Sequence, residues 1–187
     1  MEIRNNRIFL AINLSDKIKN RLMRIQEEWP DLPVRWTKKE NLHITLIFIG
    51  SVDNEEMIDV CNLSKKIVSK ESCFEIKLNK ICFGPLSKNP RMIWAMGENN
   101  KGLSCLKNNL EMELFDSNKD VQVDNRVFRP HITLARIKHK EWNKMAKLPD
   151  IEKDISLTFL VDSVQVMKSY LSKKGPEYTV LESILLK

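Results

Sequence analysis

Two hydrophobic periods alternate along the chain. The run Arg7-Ile8-Phe9-Leu10-Ala11-Ile12-Asn13-Leu14 is too apolar to be one-sided and predicts a central strand. Ser15 then offers an N-cap with Asp16 in the first turn, and Ile18, Leu22, Ile25 and Trp29 recur at helical spacing until Pro30 and Pro33 end the helix. Leu42 to Ile49 predicts a second strand, broken at Gly50-Ser51, and a helix from about Asp53 to Ser69 would bury Ile58, Cys61 and Val68. Phe74, Ile76 and Leu78 alternate with Glu75, Lys77 and Asn79, the two-residue period of a half-buried strand. Gly84-Pro85 marks a turn, Met92 to Met96 a returning strand, and Leu103, Leu106, Leu110 and Leu114 a helical stripe. A polar loop from Ser117 to Arg126 precedes Phe128-Arg129-Pro130 and the strand-like His131 to Ala135. A short charged helix is predicted around Lys140 to Lys147. Two β-rich runs follow, Leu157 to Met167 and Tyr178 to Leu186, joined by a turn at Lys173-Lys174-Gly175-Pro176.

This mixture of strand pairs and helices fits an α+β fold with mostly antiparallel sheets flanked by helices. Each half carries a helix, a strand pair and one copy of a repeated phrase, so the expectation is a bilobal fold with pseudo-two-fold symmetry and a central groove. At 187 residues the chain is expected to be one domain, residues 1–187, made of two similar lobes.

The repeated phrase is His43-Ile44-Thr45-Leu46 and His131-Ile132-Thr133-Leu134. Two of the chain's three histidines open it, an agreement expected by chance on the order of once in a thousand from ordinary residue usage. In a strand, residues i and i+2 share a face. His43 therefore lies with Thr45 and His131 with Thr133, while Leu42, Ile44, Leu46, Phe48, Ile132 and Leu134 point the other way.

Composition narrows the chemistry. Hydrophobic residues make up 42% and charged residues 30%, as in an ordinary globular protein, and no uncharged apolar run is long enough to span a membrane. The first residues do not resemble a secretory signal, so the cytoplasm is the expected compartment. The four cysteines are scattered without a Cys-x-x-Cys pair and predict reduced core residues. A net charge of +6 favours a polyanionic partner. Glycine-rich nucleotide cradles are absent, because the five glycines lie far apart. His139 sits between Lys138 and Lys140, a poor third ligand for a cation, so no metal and no cofactor are expected.

Two histidines and two threonine hydroxyls remain. An imidazole titrates near neutrality, with an ordinary pKa of about 6.5, so one copy can be neutral while the other is protonated. The hydroxyls can bond phosphoryl oxygens without adding charge. This set suits in-line displacement at phosphorus, with one imidazole taking a proton from the attacking oxygen and the other protonating the leaving oxygen. Residue chemistry alone does not say which histidine is acid and which is base.

The segments Asn41-Leu42-His43-Ile44-Thr45-Leu46-Ile47-Phe48-Ile49-Gly50 and Phe128-Arg129-Pro130-His131-Ile132-Thr133-Leu134-Ala135-Arg136 resemble the two signature motifs of the two-histidine (2H) phosphoesterases, and among them the RNA 2',3'-cyclic phosphodiesterases, also called 2'-5' RNA ligases. The similarity extends to the opening strand, Trp36, Phe83-Gly84 and Gly175-Pro176-Glu177-Tyr178. It implies metal-free hydrolysis of a terminal 2',3'-cyclic phosphate to a 2'-phosphomonoester, with His43 as proton donor, His131 as proton acceptor, and Thr45 and Thr133 on the phosphate. The implied partners are RNA ends bearing the cyclic phosphate, such as tRNA fragments, or small cyclic nucleotides, taken by a monomer. Two alternatives stay open: 2'-5' ligation as the physiological direction, and a module that binds an RNA end without turning it over.

The resemblance also implies Arg136 as a phosphate ligand, yet strand parity places it with Ile132 and Leu134, away from the histidines. For Arg136 to reach the groove the strand must bulge or the side chain must curl around its edge. Arg129, held extended by Pro130, is the competing phosphate-binding cation on the histidine face. Trp36 is the candidate for stacking on a terminal base, with a packing role beneath the loop as its rival.

Overall fold

The computed structural model describes residues 6–85, 89–117, 128–145, 150–172 and 175–187. In chain order the elements are β1 (Asn6–Asn13), α1 (Asp16–Gln26), β2 (Val34–Trp36), a 3-10 turn (Lys39–Asn41), β3 (His43–Val52), α2 (Asn54–Val68), β4 (Phe74–Gly84), β5 (Met92–Gly97), α3 (Lys101–Ser117), β6 (His131–Ile137), α4 (His139–Trp142), β7 (Lys153–Val161), β8 (Ser163–Ser172) and β9 (Gly175–Leu185). The strands form one sheet in the order β7-β4-β5-β6-β3-β1-β8-β9, with the short β2 paired to β6. Every described ladder is antiparallel. The order is symmetric about its middle, with the two motif strands β6 and β3 at the centre and three strands on either side of them.

The α+β, pseudo-symmetric fold is therefore present, but the lobes are not the two halves of the sequence. The apolar run from Leu157 to Met167 is two strands rather than one. It breaks at Asp162, after which the chain leaves β4, where β7 pairs, and joins β1, where β8 pairs. One lobe is thus β1, β3, β8 and β9, and the other is β4 to β7. Period alone could not find the break, because both strands bury apolar residues up to it: Leu157 and Val161 before, Val164 and Val166 after.

The helices cover one face. In α3, Leu103, Leu106, Leu110 and Leu114 are all fully buried, each stabilising by roughly 1.5–3 kcal/mol relative to exposure. Helix α2 begins with a capping box, Asp53 accepting from the Glu56 amide and Glu56 from the Asp53 amide. Its buried stripe is Val60, Ser64, Ile67 and Val68, whereas Ile58, expected in the core, is exposed and Cys61 is half-buried. Helix α1 buries Ile18 and Leu22 as expected, but Gln26 takes the place given to Ile25, donating to the carbonyls of Thr37 and Leu134. Of the four cysteines only Cys82 is buried, and Cys73 and Cys105 are exposed. Gly50 does not end β3; it adopts φ +98° within a strand that continues to Val52. The predicted loop 117–126 lies almost wholly outside the described residues, as do part of the 140–147 helix and the tip of the 173–176 turn. Among the described residues no helix is long and apolar enough to cross a membrane.

Candidate active site

The uncovered face of the sheet carries the repeated motifs. Strands β3 and β6 meet at a single pair, Ile44 opposite Ile132, both fully buried on the helix side. His43, Thr45, His131 and Thr133 consequently project together from the other face, all half-buried. The two imidazoles are held alike. His43 Nδ1 lies 2.7 Å from the carbonyl of Asn41, and His131 Nδ1 lies 3.0 Å from the carbonyl of Arg129, each two residues upstream. A carbonyl can only accept, so in both rings Nδ1 carries the hydrogen and Nε2 is left for chemistry. In the neutral ring His43 Nε2 accepts from the Thr45 hydroxyl at 3.0 Å, while Thr133 Oγ1 rests 3.8 Å from Met92 Sδ.

Aromatic rings fix both imidazoles. Phe9 and Tyr178 bracket His43 at centroid distances of 5.2 and 5.3 Å, the tyrosine edge-on at 90°. Trp94 stacks on His131 at 4.0 Å with a 30° tilt. Room for that indole comes from Gly84, where an added Cβ would lie 2.1 Å from the Trp94 ring. Asn41 also donates to the Pro176 carbonyl at 2.9 Å, tying the start of β9 to the turn that holds His43.

Burial lowers both histidines, His43 to about 4, against the opposing bond from each ring to its carbonyl. Charge on Lys19, an almost buried residue of α1, and on His131 lowers His43 further. Burial likewise raises the Tyr178 hydroxyl, partly offset by the Arg136 guanidinium. Burial thus favours the neutral form of both imidazoles.

The parity objection to Arg136 is removed by a bulge. In β6, Thr133 faces Trp94 and Ala135 faces Ile93, so Leu134 has no partner of its own and the alternation shifts by one. Ala135 and Ile137 turn to the core, and Arg136 joins the histidine face, exposed and near enough to Tyr178 to act on it. Strand β3 has the equivalent bulge: Thr45 pairs with Ala11 and Ile47 with Leu10, leaving Leu46 over. Phe48, expected in the core, is instead 71% exposed on the histidine face. Phe48 and Arg136 occupy the same position of the two repeats, five residues after the histidine.

Arg129 contributes its carbonyl, and its side chain is exposed. Trp36 pairs with Ala135 and so lies on the helix side of the sheet, lining a recess of about 330 Å³ with Met23, Gln26, Glu27 and Pro30. It is not among the side chains gathered at the histidines. Sequence reasoning passed over Phe9, Trp94 and Lys19, which carry no local signal, and over Arg35, which β2 sets beside Arg136.

Residues 12–94 match the model of the LigT-like phosphoesterases. The RNA 2',3'-cyclic phosphodiesterase of Methanocaldococcus jannaschii is 34% identical over 94% of this chain and 98% of its own length. That of Thermotoga maritima is 28% identical over 94% and 92%. Among solved structures, a Thermus thermophilus protein aligns with a TM-score of 0.82 at 27% identity, covering 96% of this chain and 97% of its own. Apo LigT from E. coli aligns with a TM-score of 0.78 at 26% identity, covering 97% and 98%. With both repeats, the fold that joins them and a relative matched almost end to end, the chain belongs to the LigT-like family of 2H phosphoesterases.

Proposed function

We propose that the protein hydrolyses the 2',3'-cyclic phosphate at the end of an RNA chain to a 2'-phosphomonoester, by metal-free acid and base catalysis from His43 and His131. The observation that carries this reading is the matched pair of imidazoles on one face of the sheet, each with Nδ1 committed to a carbonyl two residues upstream and the two near enough for His131 to act on His43. Binding alone would call for cations and hydroxyls, not for two rings locked in the tautomer that transfers protons. The relatives named above carry the same activity in their names.

In this mechanism Thr45 and Thr133 bond the non-bridging oxygens while His131 Nε2 takes a proton from water. The water oxygen attacks phosphorus opposite the 3'-oxygen, the P–O3' bond breaks, and His43 Nε2 delivers a proton to the departing oxygen. The 2'-ester is left intact, and exchange of protons with solvent resets both rings. Burial disfavours the imidazolium at His43, so the proton must be retained with the help of substrate, whose phosphate charge opposes the desolvation that lowers His43. Arg136 assists by binding the same anion with a planar donor fork.

The test is to incubate the protein, in EDTA, with an oligoribonucleotide ending in a 2',3'-cyclic phosphate and to locate the phosphate in the product. A 2'-phosphate formed at an undiminished rate is expected. A 3'-phosphate, loss of activity in EDTA, or binding without turnover would refute the proposal.

A further inference from the structure

At the end of β6, beyond the histidines, Arg136 stands directly opposite Arg35 of β2. Residues opposite one another in an antiparallel pair share a face, so both guanidiniums rise from the histidine side of the sheet, and both residues are exposed. The register is firm. Val34 faces Ile137 and both are buried, while Trp36 faces Ala135 against α1. A slip of one residue would drive the arginines into the core and lift these apolar residues out.

Like charges directly opposite one another weaken a strand pair. Among the described residues nothing relieves this, because their ion pairs involve other cations and no carboxylate among them reaches either arginine. Among the described residues the pair is thus an uncompensated double cation. One bound phosphodiester carries a single negative charge and is already served by two imidazoles, two hydroxyls and Arg136, so Arg35 is surplus to it. The other end of the site differs: the residue equivalent to Arg136 in the first repeat is the exposed Phe48, which offers an apolar surface and no charge. The two-fold symmetry is broken at this position, giving the groove one cationic end.

We propose that Arg35, beside the Arg136 that serves the reacting phosphate, binds the internucleotide phosphate on the 5' side of the terminal nucleotide, making the enzyme selective for oligonucleotide ends over cyclic mononucleotides. This rests on the cyclic phosphodiesterase reading above and names which form of that substrate is preferred. Strand geometry agrees with a second phosphate for Arg35. Arg136, three residues along β6 from Thr133 less the bulge, can return to the reacting phosphate through its long side chain, whereas Arg35 sits one strand spacing of ~4.8 Å further to the side.

The test compares the wild-type protein with Arg35→Ala and Arg35→Lys on two substrates, a short oligoribonucleotide ending in a 2',3'-cyclic phosphate and a nucleoside 2',3'-cyclic monophosphate. Arg35→Ala is expected to raise KM for the oligonucleotide at least about tenfold more than for the mononucleotide. It should also flatten the slope of log kcat/KM against log salt on the oligonucleotide by about 0.7, the loss of one phosphate contact on a single strand. Arg35→Lys keeps the charge and should keep the slope. Equal losses on both substrates, or an unchanged slope in Arg35→Ala with an unaltered thermal melt, would overturn the assignment while leaving the activity standing. A wild-type protein that turns over neither substrate would overturn the underlying reading, and this inference with it.

Discussion

Ile44 stands directly opposite Ile132, and this one pair joins the two lobes of the sheet through their motif strands. His43 and Thr45 flank Ile44 on one strand as His131 and Thr133 flank Ile132 on the other. The local two-fold axis therefore passes between the isoleucines, and the histidines and threonines of both repeats lie on the same face around it. Two identical phrases are brought to one place because the core fixes their centres together.

Removing either carrier should remove one proton transfer. His43→Ala and His131→Ala are each expected to lower kcat for a cyclic-phosphate end by at least about a hundredfold, with the melting temperature little changed. The double variant should fall well short of the product of the two losses, since the pair acts as a unit. Rate measurements on the three variants, with melts on the same samples, check this.

The pH dependence follows from burial. His43 is lowered to about 4 and His131 is lowered as well, and turnover needs one ring protonated and the other neutral. In the free enzyme, which kcat/KM reports, that form peaks between the two lowered values, so the kcat/KM optimum should lie below pH 6.5. Bound phosphate favours the imidazolium and raises both values, so the kcat optimum should sit at higher pH than the kcat/KM optimum. Coincident optima at pH 7 or above would argue against burial lowering both rings.

Trp94 should act on His131 by position. Gly84→Ala places a Cβ against the indole, which must move off the imidazole, and is expected to cost about 1–3 kcal/mol of stability as well as activity. A smaller ring partner should relieve the clash, so Trp94→Leu combined with Gly84→Ala should be more stable than the sum of the single losses allows. Denaturant melts on the single and double variants measure the coupling.

Trp36 should behave as a packing residue. Half-buried against α1, it is expected to cost roughly 2 kcal/mol on change to Ala, less than the ~3–5 kcal/mol of a fully buried aromatic, with KM for RNA ends unchanged within twofold. The change in KM set beside the change in melting temperature separates packing from stacking.

Much of this was legible in the sequence, and what escaped it has physical causes. The four leucines of α3 and the two His-x-Thr phrases were readable because period and repetition are local. The faces of Phe48 and Arg136 were not, because one unpaired residue in each strand, Leu46 and Leu134, shifts the alternation, and a bulge leaves no mark in a run of apolar residues. The return of β8 to β1 was hidden for a similar reason: Asp162 is one polar residue between two strands that lie in different lobes. Strand β2 is three residues long, too short for a period, yet it is what brings Arg35 beside Arg136 and turns Trp36 away.

The assignment of His43 as the acid and His131 as the base is tested most directly by changing the leaving atom. A substrate with sulfur in place of the 3'-oxygen departs as a thiolate, which needs little protonation near neutrality because thiols ionise at about pH 8.5. On this substrate His43→Ala should recover to within about tenfold of the wild-type rate, while His131→Ala should remain at least about a hundredfold slower because water must still be activated. Recovery of His131→Ala instead would reverse the two roles, and recovery of neither variant would contradict proton delivery to the leaving group as the work of either histidine.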